Sequence, residues 1–343
     1  MGHLSAWFEA KLLGKGTPDC SKYLFITPEE QRAANEIEKG NLLSVIHVTN
    51  AGHPASSLSD IKDTTLLQIL QAPQQENKEY PARNPGLRPA ATPPVLTVIG
   101  SGGKTSLIWH LAQHLRGRHK NDERSRKILV TPTTKMLVPS AETGLYDHYC
   151  SGAPTDCKDG ITLAGRFNEK TGKLESLPLD ELERIVPDYD LVLIEGDGSR
   201  GLPLKAWAEH EPAVPSFTTI TVGILPLMSL GMPVSETLIH RFSLFSTLSG
   251  AQEGGILKPE HLVRVITGHK GAKGLFAAAQ GRKVLFLNQV EDDKSLGQAR
   301  ELVSLLPEDF HSGLWGIIAG SVHQDTVACF WPKIVTQLRQ RHT

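Results

Sequence analysis

The sequence predicts an α/β fold in which helices cover a layered, mostly parallel sheet, with a small N-terminal extension. Two observations lead to this prediction. Beyond residue 94, short apolar runs alternate with stretches of helical periodicity, which is the pattern of repeated strand-helix units. The apolar runs are also continuous rather than alternating, which is typical of strands covered on both faces. Ligands collect at the carboxyl ends of parallel strands, so the residues that follow each run are the candidates for chemistry.

The chain divides into three regions. Residues 1–70 form a small segment of unknown role, with a helix predicted to begin at Thr27 and Pro28 and a strand predicted from Leu42 to Val48. Residues 71–94 carry six prolines and almost no large apolar side chain, which predicts a linker. Residues 95–343 form the main domain. Its predicted strands are 95–99, 128–130, 191–194, 220–225, 284–287 and 314–318, and its predicted helices are 105–116, 178–186, 259–267, 270–279, 294–305 and 332–341.

Composition limits the classes of function. A chain of 343 residues with a net charge of -1 shows no basic footprint for nucleic acid, so we expect no nucleic-acid partner. No apolar run approaches the length of a membrane helix, so we expect no membrane partner either. Four scattered cysteines and the absence of a secretory signal predict a cytoplasmic protein.

The first predicted strand ends in a glycine-rich turn, V-L-T-V-I-G-S-G-G-K-T-S at 95–106. Backbone N–H groups of such a turn surround phosphate oxygens, the lysine reaches the β- and γ-phosphates, and the threonine ligates Mg²⁺. The loop is short, because the usual spacing G-x-x-x-x-G-K-[ST] would require glycine at Val98. The alternative is a glycine-rich turn that carries a lysine by chance. We predict a P-loop NTPase-like fold with a phosphate cradle formed by Gly100, Ser101, Gly102, Gly103, Lys104, Thr105 and Ser106.

Hydroxyl groups and one amine follow the second predicted strand, in T-P-T-T-K-M at 131–136. Thr134 and Lys135 are therefore candidates for contact with phosphate oxygens or bound Mg²⁺. An ordinary turn with a helix cap explains the same residues equally well.

Two acids end the third predicted strand, Glu195 and Asp197. Residues two apart on an extended chain point to the same side, so both acids are expected to face the loop, and with Thr105 they are candidate Mg²⁺ ligands. Arg200 and Lys205 follow closely and are candidates to neutralise phosphate charge. Lys104, Glu195, Asp197 and Arg200 form the candidate catalytic set. The alternative is that the acids only cap or solvate a turn.

Three further groups of polar residues follow. In E-H-E at 209–211, neighbouring residues do not share a helix face, so at most one of the three is expected to line the site, with Glu209 or His210 favoured. The pair His240 and Arg241 either supplies a metal ligand or a phosphate contact, or is a surface pair. Asn288 ends the strand L-F-L-N at 285–288, where it is a candidate to bind a base or the loop backbone.

Taken together, these motifs closely resemble the YqeC family. The resemblance covers about 95–330 and rests on G-S-G-G-K-T-S, T-P-T-T-K-M, L-I-E-G-D-G-S-R-G at 193–201, P-L-K-A-W-A-E-H-E-P-A-V-P at 203–215, His240-Arg241 and L-N-Q at 287–289. It implies a P-loop accessory protein in the maturation of selenium-dependent molybdenum hydroxylases, with neither reaction nor substrate specified. The carried-over candidates are Lys104, Thr105, Thr134, Lys135, Glu195, Asp197, Ser199, Arg200, Lys205, Glu209 and His210. The first 90 residues lie outside the family pattern, and Gly196 stands where relatives commonly have alanine.

The leading hypothesis is a Mg²⁺-dependent protein that binds ATP or GTP, hydrolyses it, and assists a molybdenum hydroxylase or its maturation proteins. One alternative is an ATP-dependent ligase or kinase that acts on a cofactor precursor, because Mur ligases and folylpolyglutamate synthases carry a similarly compact loop. The other is a non-catalytic chaperone that uses the nucleotide as a switch.

Overall fold

The computed structural model describes residues 93–116, 125–269 and 271–332. The segment 1–70, most of the linker 71–94 and the predicted helix 332–341 beyond its first residue lie outside the described residues. Within the described ranges, no helix is both long and apolar enough to cross a lipid bilayer.

Eleven strands form one large sheet at the centre of the described chain. Its order is β13-β12-β11-β9-β1-β7-β2-β5-β6-β3, with β4 paired to β5, and β8 and β10 form a separate small sheet. Neighbouring strands are parallel along the path β12-β11-β9-β1-β7-β2-β5, and β4 is parallel to β5. The pairs β12/β13, β5/β6 and β3/β6 are antiparallel. The strands are β1 (Val95–Gly100), β2 (Lys127–Pro132), β3 (Lys135–Leu137), β4 (His148–Ser151), β5 (Gly160–Asn168), β6 (Lys173–Glu175), β7 (Leu191–Glu195), β8 (Leu204–Lys205), β9 (Ile220–Pro226), β10 (Ile239–His240), β11 (Arg282–Asn288), β12 (Gly316–Ser321) and β13 (Thr326–Pro332).

Helices cover both faces of the sheet. The helices are α1 (Lys104–Leu115), α2 (Leu179–Ile185), α3 (Phe242–Ser249), α4 (Pro259–Thr267), α5 (Asp293–Ser304) and α6 (Glu308–Ser312). On one face, Leu107 and Leu111 of α1 pack with Val98 of β1 in one apolar cluster. On the other face, α3, α4 and α5 join Leu225 and Leu285 in a second cluster. The predicted fold class, a P-loop NTPase-like layered sheet that is mostly parallel, is therefore confirmed.

All six predicted strands are present, and their ends differ from the predicted ones by at most three residues: the last, predicted at 314–318, is β12 (Gly316–Ser321). Four of the predicted helices are α1, α2, α4 and α5. The helix predicted at 270–279 is wrong, because its described residues form turns. Gly271 and Gly274 open this segment, and Leu275 hydrogen-bonds back to Val265 of α4. The apolar side chains of Leu275 and Phe276 pack over Gly223 of β9 instead of forming a helix face.

The sequence patterns missed α3, α6, the small sheet of β8 and β10, strand β13 at one edge of the large sheet, and the opposite edge formed by β3, β4, β5 and β6. The antiparallel β3–β6 ribbon contributes residues to the candidate site. Met136 and Leu174 pair in its centre and are buried, while Lys135 and Lys173 lie at opposite ends of the pairing. Three-residue strands carry too short an apolar pattern to be recognised, so only the tertiary pairing identifies them.

Candidate functional site

The glycine-rich turn connects β1 to α1 in the middle of the sheet. Gly100, Gly102 and Gly103 have φ of 101°, 72° and 129°, values that side-chain-bearing residues rarely adopt. A Cβ atom on Gly102 would lie 2.4 Å from Pro226 Cγ, and one on Gly103 would lie 2.4 Å from Asn288 Nδ2. The loop therefore needs glycine for conformation and for space together.

Helix α1 begins directly at this loop, so its first N–H groups have no intrahelical acceptor and point beyond its N-terminus. No acidic side chain lies in the first turn, and no side chain caps it. The helix dipole adds a partial positive charge at the same place. These are the features of an anion-binding helix start.

The loop forms the floor of an open cleft of about 1710 Å³. Gly102, Gly103, Lys104, Thr105 and Ser106 all line it. One side of the cleft lies beyond the ends of β9, β11 and β12, and the other lies beyond the ends of β7 and β2, as the sheet order requires. The cleft therefore occupies the carboxyl edge of the parallel strands, which is where this fold class binds ligands.

Thr105 and Glu195 meet at the floor of the cleft. The Thr105 hydroxyl donates to Glu195 Oε2 at 2.8 Å. Two neighbouring oxygen ligands of an octahedral Mg²⁺ lie about 2.9 Å apart, so a pair with this spacing fits that ion. The described residues contain no group of three or more His, Cys, Asp or Glu side chains that could hold a metal. A magnesium ion at this site would therefore depend on phosphate oxygens and water for its other ligands.

Burial controls the ionisation of Glu195. The side chain is 5% exposed, and this burial raises the pKa of its carboxyl group, against the opposing effects of the Lys104 charge and the Thr105 hydrogen bond. A divalent cation at this position would favour the carboxylate.

Asp197 faces the loop as predicted but does not reach the cleft. Its side chain is fully buried, and its oxygens accept from the Gly100 N–H at 3.0 and 3.2 Å and from the Trp207 indole at 2.7 Å. Lys104 Nζ lies 3.3 Å from its Oδ1. The assignment of Asp197 as a Mg²⁺ ligand is therefore wrong in this structure. The reason is that β7 ends at Glu195, so the chain turns and carries Asp197 beneath the loop.

Lys205 is likewise part of the support of the loop. It is fully buried and donates to Asp197 Oδ2 at 3.2 Å, to Gly198 O at 2.6 Å and to Glu211 Oε2 at 2.8 Å. With these three acceptors, and outside the cleft lining, it does not contact a ligand there. The prediction that Lys205 neutralises phosphate is corrected accordingly.

Glu211 extends this network to the wall of the cleft. Arg241 donates to both of its carboxylate oxygens, with Nη2 to Oε1 at 3.0 Å. Burial acts to raise the pKa of Glu211, but the hydrogen bonds from Arg241 and Lys205 outweigh it and bring the value to about 2. We call the connected set the ionic network; it consists of Lys104, Asp197, Lys205, Glu211 and Arg241.

Asn288 connects the end of β11 to the loop. Its Nδ2 donates to Gly102 O at 2.8 Å, and its Oδ1 accepts from Val322 N at 3.0 Å. Of the two contacts predicted for Asn288, the structure therefore shows the one with the loop backbone.

The remaining predicted residues divide by position. Ser106, Thr134, Lys135, Ser199, Arg200 and His210 line the cleft. Gly100 and Ser101 do not, because Asp197 accepts from the Gly100 N–H and Ile224 O accepts from the Ser101 N–H. Of the residues predicted to surround phosphate, only residues 102–106 therefore line the cleft.

The expectation for the E-H-E group is also corrected. Both His210 and Glu211 line the cleft, whereas Glu209 does not. The sequence reasoning missed Trp207, whose indole holds Asp197, and Lys173, which lines the cleft from β6. Trp207 stands inside the block 203–215, so that block carried a signal for it. Lys173 had none.

Comparison with known proteins identifies the family. A family model described as YqeC protein matches residues 96–243, a range that contains the loop, Glu195 and the whole ionic network. The chain is 30% identical over 231 residues to a protein of Escherichia coli strain K12 named "Uncharacterized protein YqeC"; the match covers 65% of this chain and 86% of that relative. The chain therefore belongs to the YqeC family.

Proposed function

We propose that this protein binds ATP or GTP together with Mg²⁺ and hydrolyses the nucleotide. The observation that carries the proposal is the contact between Thr105 and Glu195 at the start of α1, directly below a cleft at the carboxyl edge of a parallel sheet. A helix start that is free of acids and opens from glycines supplies the anion site, and the threonine-carboxylate pair supplies the hard oxygen ligands.

Each residue of the floor has a distinct role in the proposal. The N–H groups of residues 102–106 hold the phosphates, and Lys104 provides a positive charge beside them. Thr105 and Glu195 hold Mg²⁺, which withdraws charge from the terminal phosphate. Arg200, exposed on the wall of the cleft, is the candidate to balance charge in the transition state.

A nucleotide titration tests this proposal. ATP and GTP are titrated into the full chain by calorimetry, with Mg²⁺ or with EDTA. We expect binding that requires Mg²⁺, and a loss of at least about tenfold in affinity in the Lys104→Ala variant, because a charge-assisted phosphate contact is removed. Lys294→Ala is the matched control, since Lys294 is an exposed lysine in the first turn of α5.

Glu195→Gln provides a second measurement if the loss of Lys104 disturbs the fold. The amide retains an oxygen that can accept from Thr105 but lacks the charge that favours Mg²⁺. We expect the nucleotide affinity of this variant to be the same in Mg²⁺ as in EDTA. Unchanged affinity in both variants would refute the proposal.

Release of phosphate from the same samples separates the proposed NTPase from the nucleotide-switched chaperone. Multiple-turnover release by the isolated protein supports hydrolysis, whereas tight binding without turnover supports the switch. A ligase or kinase would instead need an acceptor, and phosphate or ADP would form only when that acceptor is present.

We further propose that the nucleotide is used in the maturation of a selenium-dependent molybdenum hydroxylase. Support comes only from the family resemblance described above. The test is the molybdenum content and specific activity of such a hydroxylase from cells that carry wild type or Lys104→Ala. We expect both to fall in the variant, and equal values in the two strains would count against this role.

A further inference from the structure

The cleft is larger than one ligand requires. Its volume is about 1710 Å³, whereas pockets for single small molecules and cofactors measure roughly 300–1,000 Å³. The loop lies between the ends of β9, β11 and β12 on one side and those of β7 and β2 on the other, and by these strand ends we distinguish two arms of the cleft. A nucleotide whose phosphates occupy the loop fills one arm with its base and sugar and leaves the other open.

The two arms differ in charge. The β11 arm lies beyond β9, β11 and β12 and is lined by Pro226, Met228, Asn288, Gln289, Glu291 and Val322, with no lysine or arginine among the described residues there. The cationic arm lies on the side of β7 and β2 and is lined by Thr134, Lys135, Lys173, Arg200, His240 and Arg241, together with the acids Glu175 and Glu211. Amide and apolar side chains suit a base, and the cationic arm suits an anion.

The cationic arm carries positive charge that the protein does not neutralise. Lys135 pairs with Glu175 at 2.8 Å, and Arg241 pairs with Glu211. Lys173 and Arg200 have no ion-pair partner in the described part of the chain. Burial lowers the pKa of His240, and neighbouring positive charges, Arg241 first, lower it further.

One polar atom of this arm lacks a partner. Thr134 Oγ1 is buried without a hydrogen bond within the described structure, although Thr134 lines the cleft. A buried hydroxyl without a partner costs free energy, which a ligand that accepts or donates a hydrogen bond would recover. Thr134 follows β2, which stands two strands and so about 10 Å from β1, the strand that leads into the loop.

We propose that the cationic arm binds a second ligand that carries a phosphate or carboxylate group, next to the nucleotide. The proposal rests on the proposed function in one respect, the assignment of the loop to the nucleotide. It reassigns Thr134 and Lys135 from the nucleotide to this second ligand, and it adds Lys173, which had no role before.

The experiment uses two probes on the full chain. The protein is first saturated with Mg²⁺ and a non-hydrolysable ATP or GTP analogue, and glycerol 3-phosphate or succinate is then titrated by calorimetry at low ionic strength. We expect at least one probe to bind without displacing the nucleotide, and to bind more weakly as salt is added. The stronger probe identifies the anion as phosphate or carboxylate.

Matched variants locate the binding. Lys173→Ala and Thr134→Val are each expected to weaken the probe about tenfold, since each removes a group that bonds an anion. Lys170→Ala alters an exposed lysine of the same hairpin outside the cleft, and Thr131→Val removes another unpaired buried hydroxyl on β2. Both controls should bind the probe as wild type does. Thr134→Val should also be no less stable than wild type, because the deleted hydroxyl bonds nothing in the protein.

Three results would overturn the proposal: no binding of either probe, displacement of the nucleotide by the probe, or equal probe affinity in Lys173→Ala, Thr134→Val and wild type. Failure of the proposed function is a separate result, seen in the first step as absence of nucleotide binding. In that case the same probes and variants are measured on nucleotide-free protein, and they test the cationic arm by themselves.

Discussion

At the scale of single residues, burial gives two neighbouring acids different roles. Glu195 lies at the floor of the cleft and contacts Thr105, whereas Asp197 is enclosed by the loop backbone, two lysines and an indole. Both are acids at the end of the same strand, so their residue type and spacing did not distinguish them. The two acids differ in position because β7 ends between them. Where β7 ends depends in turn on the loop that packs against it.

Asp197→Asn tests the structural role of that carboxylate. We expect the free energy of unfolding to fall by about 3 kcal/mol, because Lys104 loses its negative partner and Lys205 keeps only Glu211, while the shape of the Asp197 side chain is retained. Urea denaturation measures the change. Asp190→Asn is the control: Asp190 is exposed just before β7, and among the described residues its side chain accepts only from the Lys127 N–H at 2.9 Å. Equal losses in the two variants would contradict the role assigned to Asp197.

At the scale of elements, the short glycine loop depends on its neighbours. Gly102 packs against Pro226 at the end of β9, and its carbonyl accepts from Asn288 at the end of β11. The glycines and the following lysine identified the loop from sequence. The partners that hold it lie more than a hundred residues further along the chain, so its local sequence carries no information about them.

Gly102→Ala tests whether space as well as conformation requires glycine. Gly144→Ala is the matched control, since Gly144 has φ of 64°, close to the 72° of Gly102, but has no atom within 4 Å of an added Cβ. We expect about 1 kcal/mol of destabilisation in the control from conformation alone. Gly102→Ala should be destabilised more than this control, which thermal unfolding measures. It should also bind nucleotide more weakly, which calorimetry measures. The same small loss in both variants, with nucleotide affinity intact, would show that contact with Pro226 is unimportant.

The wrongly predicted helix at 270–279 has a similar explanation. Its apolar residues have helical spacing, yet Leu275 and Phe276 fill the space above Gly223, where β9 offers no side chain. Gly271, with φ of 79°, lets the chain turn near the start of the segment, and Gly274 packs so close to Gly268 that a Cβ atom would not fit. Packing on a distant strand therefore overrode local periodicity.

At the scale of the whole molecule, the ionic network joins distant parts of the chain. It runs from the loop after β1, through the turn after β7 and strand β8, to Arg241 before α3. Members separated by more than a hundred residues depend on one another for their charge balance. Global stability should therefore respond to the ionisation of a single member, Glu211.

Acid titration of stability tests this coupling. The pKa of Glu211 falls from 4.5 to about 2 on folding, so its contribution is fully present above about pH 4.5 and is lost as the pH falls toward 2. The difference in unfolding free energy between wild type and Glu211→Gln should be constant from pH 5 to 7 and should shrink below that range. Denaturation at several pH values measures it, with Glu183→Gln on the exposed side of α2 as control. A difference independent of pH would rule out this coupling.

The sequence by itself determined the alternation of strands and helices, the glycine loop before α1, and the acid at the end of β7. These features depend on local periodicity and on the conformations that glycine permits, and both are properties of short segments. Only the tertiary structure decided that Asp197 and Lys205 support the loop from beneath, that Lys173 reaches the cleft, and that the cleft has two arms of different charge. The physical reason is that burial and charge pairing depend on which strands become neighbours, and in this sheet the neighbours come from distant parts of the chain.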